Sequence, residues 1–160
     1  MDPKNQNEGK FECKMNKHLK FLIIIPLLAL VFGCSEQIAF EENHKTNDKG
    51  WPVNEVLAFE FEVKDTTQLY DIFLNVRNTT DYEYSNLYVF FQTNFPDGKS
   101  FRDIVEMIMA DRQGKWTGKG FGKLKANSFH FRKDVWFPEE GMYEFTIQHA
   151  MREELLKGIS

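Results

Sequence analysis

From residue 56 onward the chain alternates. Residues 56–63 (VLAFEFEV) place Leu57, Phe59, Phe61 and Val63 on one side and Ala58, Glu60 and Glu62 on the other, the period of two that marks a half-buried strand. KDTT at 64–67 turns the chain, and residues 69–77 alternate again through Tyr70, Ile72, Leu74 and Val76. After a turn at NTTD (78–81), residues 82–94 (YEYSNLYVFFQTN) are apolar on both sides: Leu87, Val89 and Phe91 face one way, Tyr88 and Phe90 the other. This pattern predicts a central strand covered on two faces. FPDGK at 95–99 is a reverse turn, with Pro96 setting φ at the first corner and Gly98 free to take a positive φ. Residues 101–110 predict the returning strand.

The alternation stops at 111–123 (DRQGKWTGKGFGK), a loop with Gly114, Gly118, Gly120 and Gly122 around Trp116 and Phe121. It resumes at 128–137, turns at PEEG (138–141), and continues through Tyr143, Phe145 and Ile147 in 142–151. Residues 152–156 have mild helical character. Six or seven short strands separated by Gly, Pro and Asp turns predict an all-β chain, an antiparallel β-sandwich of jelly-roll type.

The N-terminal part obeys another rule. Residues 15–34, MNKHLKFLIIIPLLALVFGC, run from Lys17, His18 and Lys20 through an apolar block to Gly33-Cys34. This is the charged, apolar and small-residue order of a secretory signal, and the block is shorter than the roughly 20 residues a membrane span needs. Val31-Phe32-Gly33-Cys34 also fits a bacterial lipobox, whose cysteine becomes the lipidated first residue; Phe32 is bulkier than that position usually carries. An uncleaved anchor, or an ordinary signal with an incidental Cys34, are the other readings. The expected organisation is a non-native or disordered extension at 1–14, a signal peptide at 15–33, a lipidated tether at 34–50 and a β-sandwich domain at 51–160. Within the tether, residues 38–40 have the composition of a short strand.

Charge and cysteine content narrow the chemistry. From Cys34 onward 15 Lys and Arg face 21 Asp and Glu, a net charge of −6, which argues against nucleic acid as a partner and against adhesion to anionic lipid by charge. Membrane attachment then falls to acyl chains such as palmitate on Cys34. Cys13 and Cys34 both lie outside the predicted domain, so it has no disulfide and no thiol nucleophile.

Catalytic motifs are missing. The glycine-rich loop lacks GxxxxGK[ST] and a following helix, so no phosphate cradle is predicted. His18 lies in the signal and His44 in the tether; His130 and His149 fall on separate strands without a matching carboxylate, a poor metal set. Glu60 and Glu62 share a strand face roughly 6.5–7 Å apart, the spacing of a glycosidase pair, but that face reads as solvated sheet surface. The expectation is no enzyme activity, no catalytic residues, no metal and no cofactor.

Aromatic residues carry more. The chain has 16 Phe, and Tyr82, Tyr84, Tyr88 and Phe90 lie together near the most aromatic strand. With Trp116 and Phe121 of the loop, the tyrosines are the candidate partner surface. The competing readings are that the phenylalanines simply pack the two sheets, and that the loop aromatics fold back to cap the core. A Trp116-centred sugar platform, as in a secreted carbohydrate-binding module, is the alternative function.

With these residues laid out, the chain resembles the gliding-motility lipoprotein family of GldH type from Bacteroidetes. The resemblance rests on the lipobox at 31–34, GWPVNEVLAFEFEVKDTT, YDIFLNVRNTTDYEYSNLYVFFQTNFPDGKSFRD, ADRQGKWTGKGFGKL and QHAMREELLKGI. It implies a membrane-anchored envelope lipoprotein, at the outer rather than the inner membrane, acting with other gliding and secretion proteins and with no catalytic residues to carry over. It also implies one more strand beyond Ser160, hence a truncated sandwich with an exposed edge. Cys34→Ser is expected to abolish acyl-chain labelling and function; a Cys34→Ser chain that stays with the envelope unacylated and fully functional refutes the lipid anchor.

Overall fold

The computed structural model describes residues 38–47 and 49–160; Cys34 and the predicted signal segment lie outside them. The described strands are β1 (Trp51–Pro52), β2 (Leu57–Val63), β3 (Leu69–Thr79), β4 (Asn86–Asn94), β5 (Ser100–Ile108), β6 (Leu124–Trp136), β7 (Gly141–His149) and β8 (Leu155–Leu156). Among the described residues there is no helix. The helical character expected at 152–156 is overruled: Leu156 buries its side chain in the core while its backbone pairs with Trp51.

The pairings are nested. β4 pairs with β5, β3 with β6, β2 with β7 and β1 with β8, all antiparallel. This is one long hairpin rolled up on itself, and the additional pairing of β4 with β7 closes the roll. Two layers result. One is the four-stranded sheet β2-β7-β4-β5. The other joins β3-β6 to β1-β8 through the Asn78–Ile159 bridge, the Thr79 N–H to Gly158 O bond at 2.8 Å and the Ser160 N–H to Arg77 O bond at 3.0 Å. The arrangement is the predicted antiparallel sandwich of jelly-roll type.

Alternation decides which side chains fill the space between the layers. Leu87, Val89 and Phe91 of β4 are buried, with Met107 of β5, Leu74 of β3, and Trp51, Leu156 and Ile159 beside them. Phe91 meets Phe131 of β6 at 4.8 Å and Phe145 of β7 at 5.7 Å between ring centroids. A smaller cluster of Val63, Phe137 and Tyr143 closes the opposite end, where the Tyr143 hydroxyl donates to Glu139 O across the 138–141 turn. β4 is central in hydrogen bonding, but only one of its faces is core. Tyr88 and Phe90 are half-buried on the outer face, and the Arg102 guanidinium lies 3.8 Å above the Phe90 ring, an arrangement that shields part of an aromatic face from water.

The compact unit begins at Phe40. Phe40 packs on Phe61, His44 packs on Phe59, and the Thr46 hydroxyl donates to Ile159 O at 2.8 Å. Phe40, His44 and Thr46, assigned to the tether by its polarity, are therefore fastened along the sandwich. Residues 38–40 form no strand.

A polar relay, buried at Asn78 and Asn127, links the layers' loops. The Thr117 hydroxyl donates to Asn127 Oδ1 at 3.0 Å, and Asn127 Nδ2 donates to Asn78 Oδ1 at 3.0 Å. Asn78 Nδ2 donates to Thr79 O. Gly118 packs so closely that a Cβ there would lie 2.7 Å from Asn127 Nδ2, so glycine is needed for space. Asn127→Ala strands the buried Asn78 carbonyl oxygen and is expected to cost about 1–3 kcal/mol. Urea unfolding checks this, and an unchanged midpoint refutes the relay's role.

Candidate partner surface

The loop at 111–123 is organised by hydrogen bonds. Asp111 Oδ1 accepts the N–H groups of Gln113 and Lys115, both at 2.9 Å, and Ala110 bridges Trp116 to form a tight hairpin. The Thr117 hydroxyl lies 2.9–3.0 Å from the carbonyls of Ile108 and Met109 as well as from Asn127. Lys119 then pairs with Ala126 of β6, leaving Gly120, Phe121 and Gly122 as a second turn. Gly122 at φ +64° relieves the strain there. The Lys123 carbonyl accepts the Thr80 N–H, and its ammonium lies 3.4 Å from Asp81.

This geometry separates the aromatic residues grouped by sequence. Tyr82 is 3% exposed; its hydroxyl donates to Asn86 O at 2.7 Å, closing the turn before β4, and burial raises its pKa. It is a core residue and leaves the candidate surface. Trp116 is partly buried against the core, its ring 6.4 Å from that of Tyr82, so the capping role describes it and a Trp116-centred sugar platform loses its centre. Phe121 stands fully exposed at the second turn.

Tyr84 and Tyr88 do come together. They line a groove of about 420 Å³ whose other wall is Ala150, Met151, Arg152 and Glu153. The Tyr84 hydroxyl donates to Glu153 Oε1 at 2.8 Å, and this bond to a carboxylate raises the tyrosine's pKa. Tyr88 shares Glu106 with Asn86, whose Nδ2 donates to it at 2.8 Å, and its pKa rises for the same reason. The Tyr88 N–H approaches Met151 Sδ at 3.3 Å. The cleft offers apolar contact from the two tyrosine rings and the Met151 thioether, and polar contact from Arg152 and Glu153 at its lip. Residues 150–153 were not singled out from sequence, because nothing local in AMRE announces that it folds against a strand more than sixty positions earlier.

The remaining candidates disperse. Glu60 and Glu62 lie on the exposed face of β2 with no cleft between them, Glu62 pairing with Lys64 at 2.9 Å. His130 is exposed, stacked on Phe73 at 4.5 Å and 3.4 Å from Asp71. His149 is on the other sheet, fully buried, edge-on to Trp51 at 5.3 Å. Among the described residues no group of three or more His, Cys, Asp and Glu side chains comes together.

Comparison with known proteins now decides the family. The description "GldH lipoprotein" fits residues 38–160. The chain belongs to the GldH lipoprotein family. A gliding motility lipoprotein GldH homolog from Christiangramia forsetii is 34% identical over 139 residues, covering 87% of this chain and 85% of the relative. The gliding motility lipoprotein GldH of Flavobacterium johnsoniae is 30% identical over 145 residues, covering 86% and 89%. No solved structure matches.

His149 sets a pH dependence for this GldH-family fold. Neither ring nitrogen has a hydrogen-bond partner among the described residues. Burial lowers its pKa below the ordinary 6.5. The unfolded chain therefore binds a proton that the folded chain takes up only at lower pH, and stability present above 6.5 is lost as the pH falls. His149→Phe is expected to flatten the fall in urea midpoint between neutral and mildly acidic pH. An unaltered slope shows that another group carries the acid sensitivity.

Proposed function

We propose that this chain is a non-enzymatic, lipid-anchored accessory component of the gliding apparatus, held at the outer membrane through acylated Cys34 and working by docking other envelope gliding or secretion proteins. Family membership supports the setting. The observation that carries the docking role is the exposed groove between Tyr84 and Tyr88 on one side and Met151 to Glu153 on the other. Phe121 offers a second contact: Thr80 and Asp81 meet its turn at Lys123, and Tyr84 follows a few residues along the same segment.

The division of labour follows from chemistry. Acyl chains supply attachment that an acidic domain cannot obtain from anionic lipid. Rigid aromatic side chains supply contact area at low entropic cost. The glutamates bonded to Tyr84 and Tyr88 fix the tyrosine hydroxyls before a partner arrives, which reduces the ordering cost of binding.

The test is affinity purification of the acylated protein from its own envelope, read by mass spectrometry, beside Tyr84→Ala/Tyr88→Ala and Phe121→Ser chains. The exposed Phe121 change should leave stability within about 0.5 kcal/mol. Co-purifying gliding or secretion proteins are expected to fall by about tenfold or more with the tyrosine pair, about the effect of losing 1.4 kcal/mol of contact. Undiminished recovery with both variants, together with normal gliding, rejects this surface.

A further inference from the structure

Among the described residues, the four-stranded sheet ends in an edge that no further strand pairs. β5 lies outermost in β2-β7-β4-β5 and pairs with β4 over nine residues without a bulge. Beside the opposite edge strand, β2, the Phe40 ring lies tilted against Phe61 and the His44 ring edge-on to Phe59, and β6 in the other layer is bridged by Lys119 at Ala126. A long, regular edge without proline or bulge is a template for another strand.

Backbone direction fixes which residues a newcomer would meet. The hairpin bond from Phe95 N–H to Lys99 O and the bond from Met109 N–H to Ser85 O make the odd-numbered residues of β5 those that bond β4. Ser100, Arg102, Ile104, Glu106 and Ile108 therefore aim their backbone groups outward. The Ile104 N–H accordingly finds no β4 carbonyl and donates to Asp103 Oδ1 at 2.9 Å. Ile108 O lies 3.0 Å from the Thr117 hydroxyl. The same even-numbered residues put their side chains on the sheet's outer face, where Ile104 is 61% and Ile108 50% exposed.

We propose that β5 is a self-recognition edge: two copies of this chain pair their β5 strands antiparallel about a two-fold axis at Ile104, merging two four-stranded sheets into one of eight strands. Charge selects both the occupant and the register. With Ile104 opposite its own copy, Arg102 of each chain lies across from Glu106 of the other, so two opposite-charge pairs flank an isoleucine pair. Moving the axis to Arg102 or to Glu106 sets like charges face to face. Axes at Asp103 or Val105 leave every one of these charges opposite a neutral residue. Both charged side chains are already held on the outer face, Arg102 over Phe90 and Glu106 by Asn86. Pairing transfers the Ile104 N–H from Asp103 to the carbonyl of the second copy. Asp103 keeps its bond to Arg132 Nη2 at 2.7 Å, so its carboxylate is not left alone. On the inner side, Phe101, 56% exposed in the single chain, comes opposite Met107 of the second copy.

The acylated full chain in detergent tests this by sedimentation, with bound detergent accounted for. The wild-type chain is expected to run as two copies at micromolar concentration. Arg102→Glu and Glu106→Arg, each folded by circular dichroism, are expected to weaken self-association by about tenfold or more. Mixing the two variants should restore a two-chain species, because each then supplies the charge its counterpart lacks, and the Arg102→Glu/Glu106→Arg double variant should self-associate again. Misfolding cannot produce that rescue. A wild-type chain that stays single, self-association indifferent to both substitutions, or a mixture that remains single each overturns the proposal.

Discussion

Phe91 has to reach in two directions at once. Its ring meets Phe131 across the gap between layers and Phe145 on the adjoining strand, and no covalent cross-link is available to the described residues to do that work instead. Each aromatic side chain of this kind removes on the order of 150–250 Å² from water, so the joint is held mainly by burial. Its position is set by β4, which is paired on both sides, by β5 and by β7. If β4 shifted by one residue, Leu87, Val89 and Phe91 would turn outward together and Tyr88 and Phe90 would enter the core. Register, core composition and the outer tyrosine face are thus a single constraint.

That constraint explains where variable chemistry is permitted. The nested pairing gathers the ends of distant strands, so the turn before β4, the glycine-rich loop and residues 150–153 lie around one end of the roll. There the backbone is fastened by side chains such as Asp111, Thr117 and Asn127. Fastened loops present their aromatics in fixed positions, and the fastening itself is polar and directional, unlike the Phe-based joint beneath it.

The strands were legible because each carries its own alternation: Leu57 to Val63 announces its inner face without help from its neighbours. So does the turn at Pro96-Asp97-Gly98, which needs only local φ preferences. What escaped was set by partners far along the chain. Leu155-Leu156 is too short to show a period and becomes a strand because Trp51-Pro52 lies beside it. β6 starts four residues earlier than its apolar pattern suggested, since Lys119 and Thr79 supply backbone partners to Ala126 and Leu124. Tyr82 looked like its neighbours Tyr84 and Tyr88; only Gly158, whose Cβ would fall 2.8 Å from the Tyr82 N atom, reveals how closely the chain's last residues cover it. The groove was half legible, its tyrosines but not its opposite wall. The family, by contrast, was legible in separate stretches, at 31–34, 50–67, 70–103, 110–124 and 148–159.

The strapped segment from Phe40 to Gly50 has a mechanical reading. A pull on the chain upstream of Phe40 meets the Phe40–Phe61 contact first, then His44 on Phe59, then the Thr46–Ile159 bond, and only afterwards the two-residue β1. These fastenings lie in series, and the segment they hold spans about 35 Å when extended, so they take up tension before it arrives at the long ladders of β2, β7 and β4. A load on that end of the chain is thus met by side-chain contacts before it reaches the backbone ladders that hold the core.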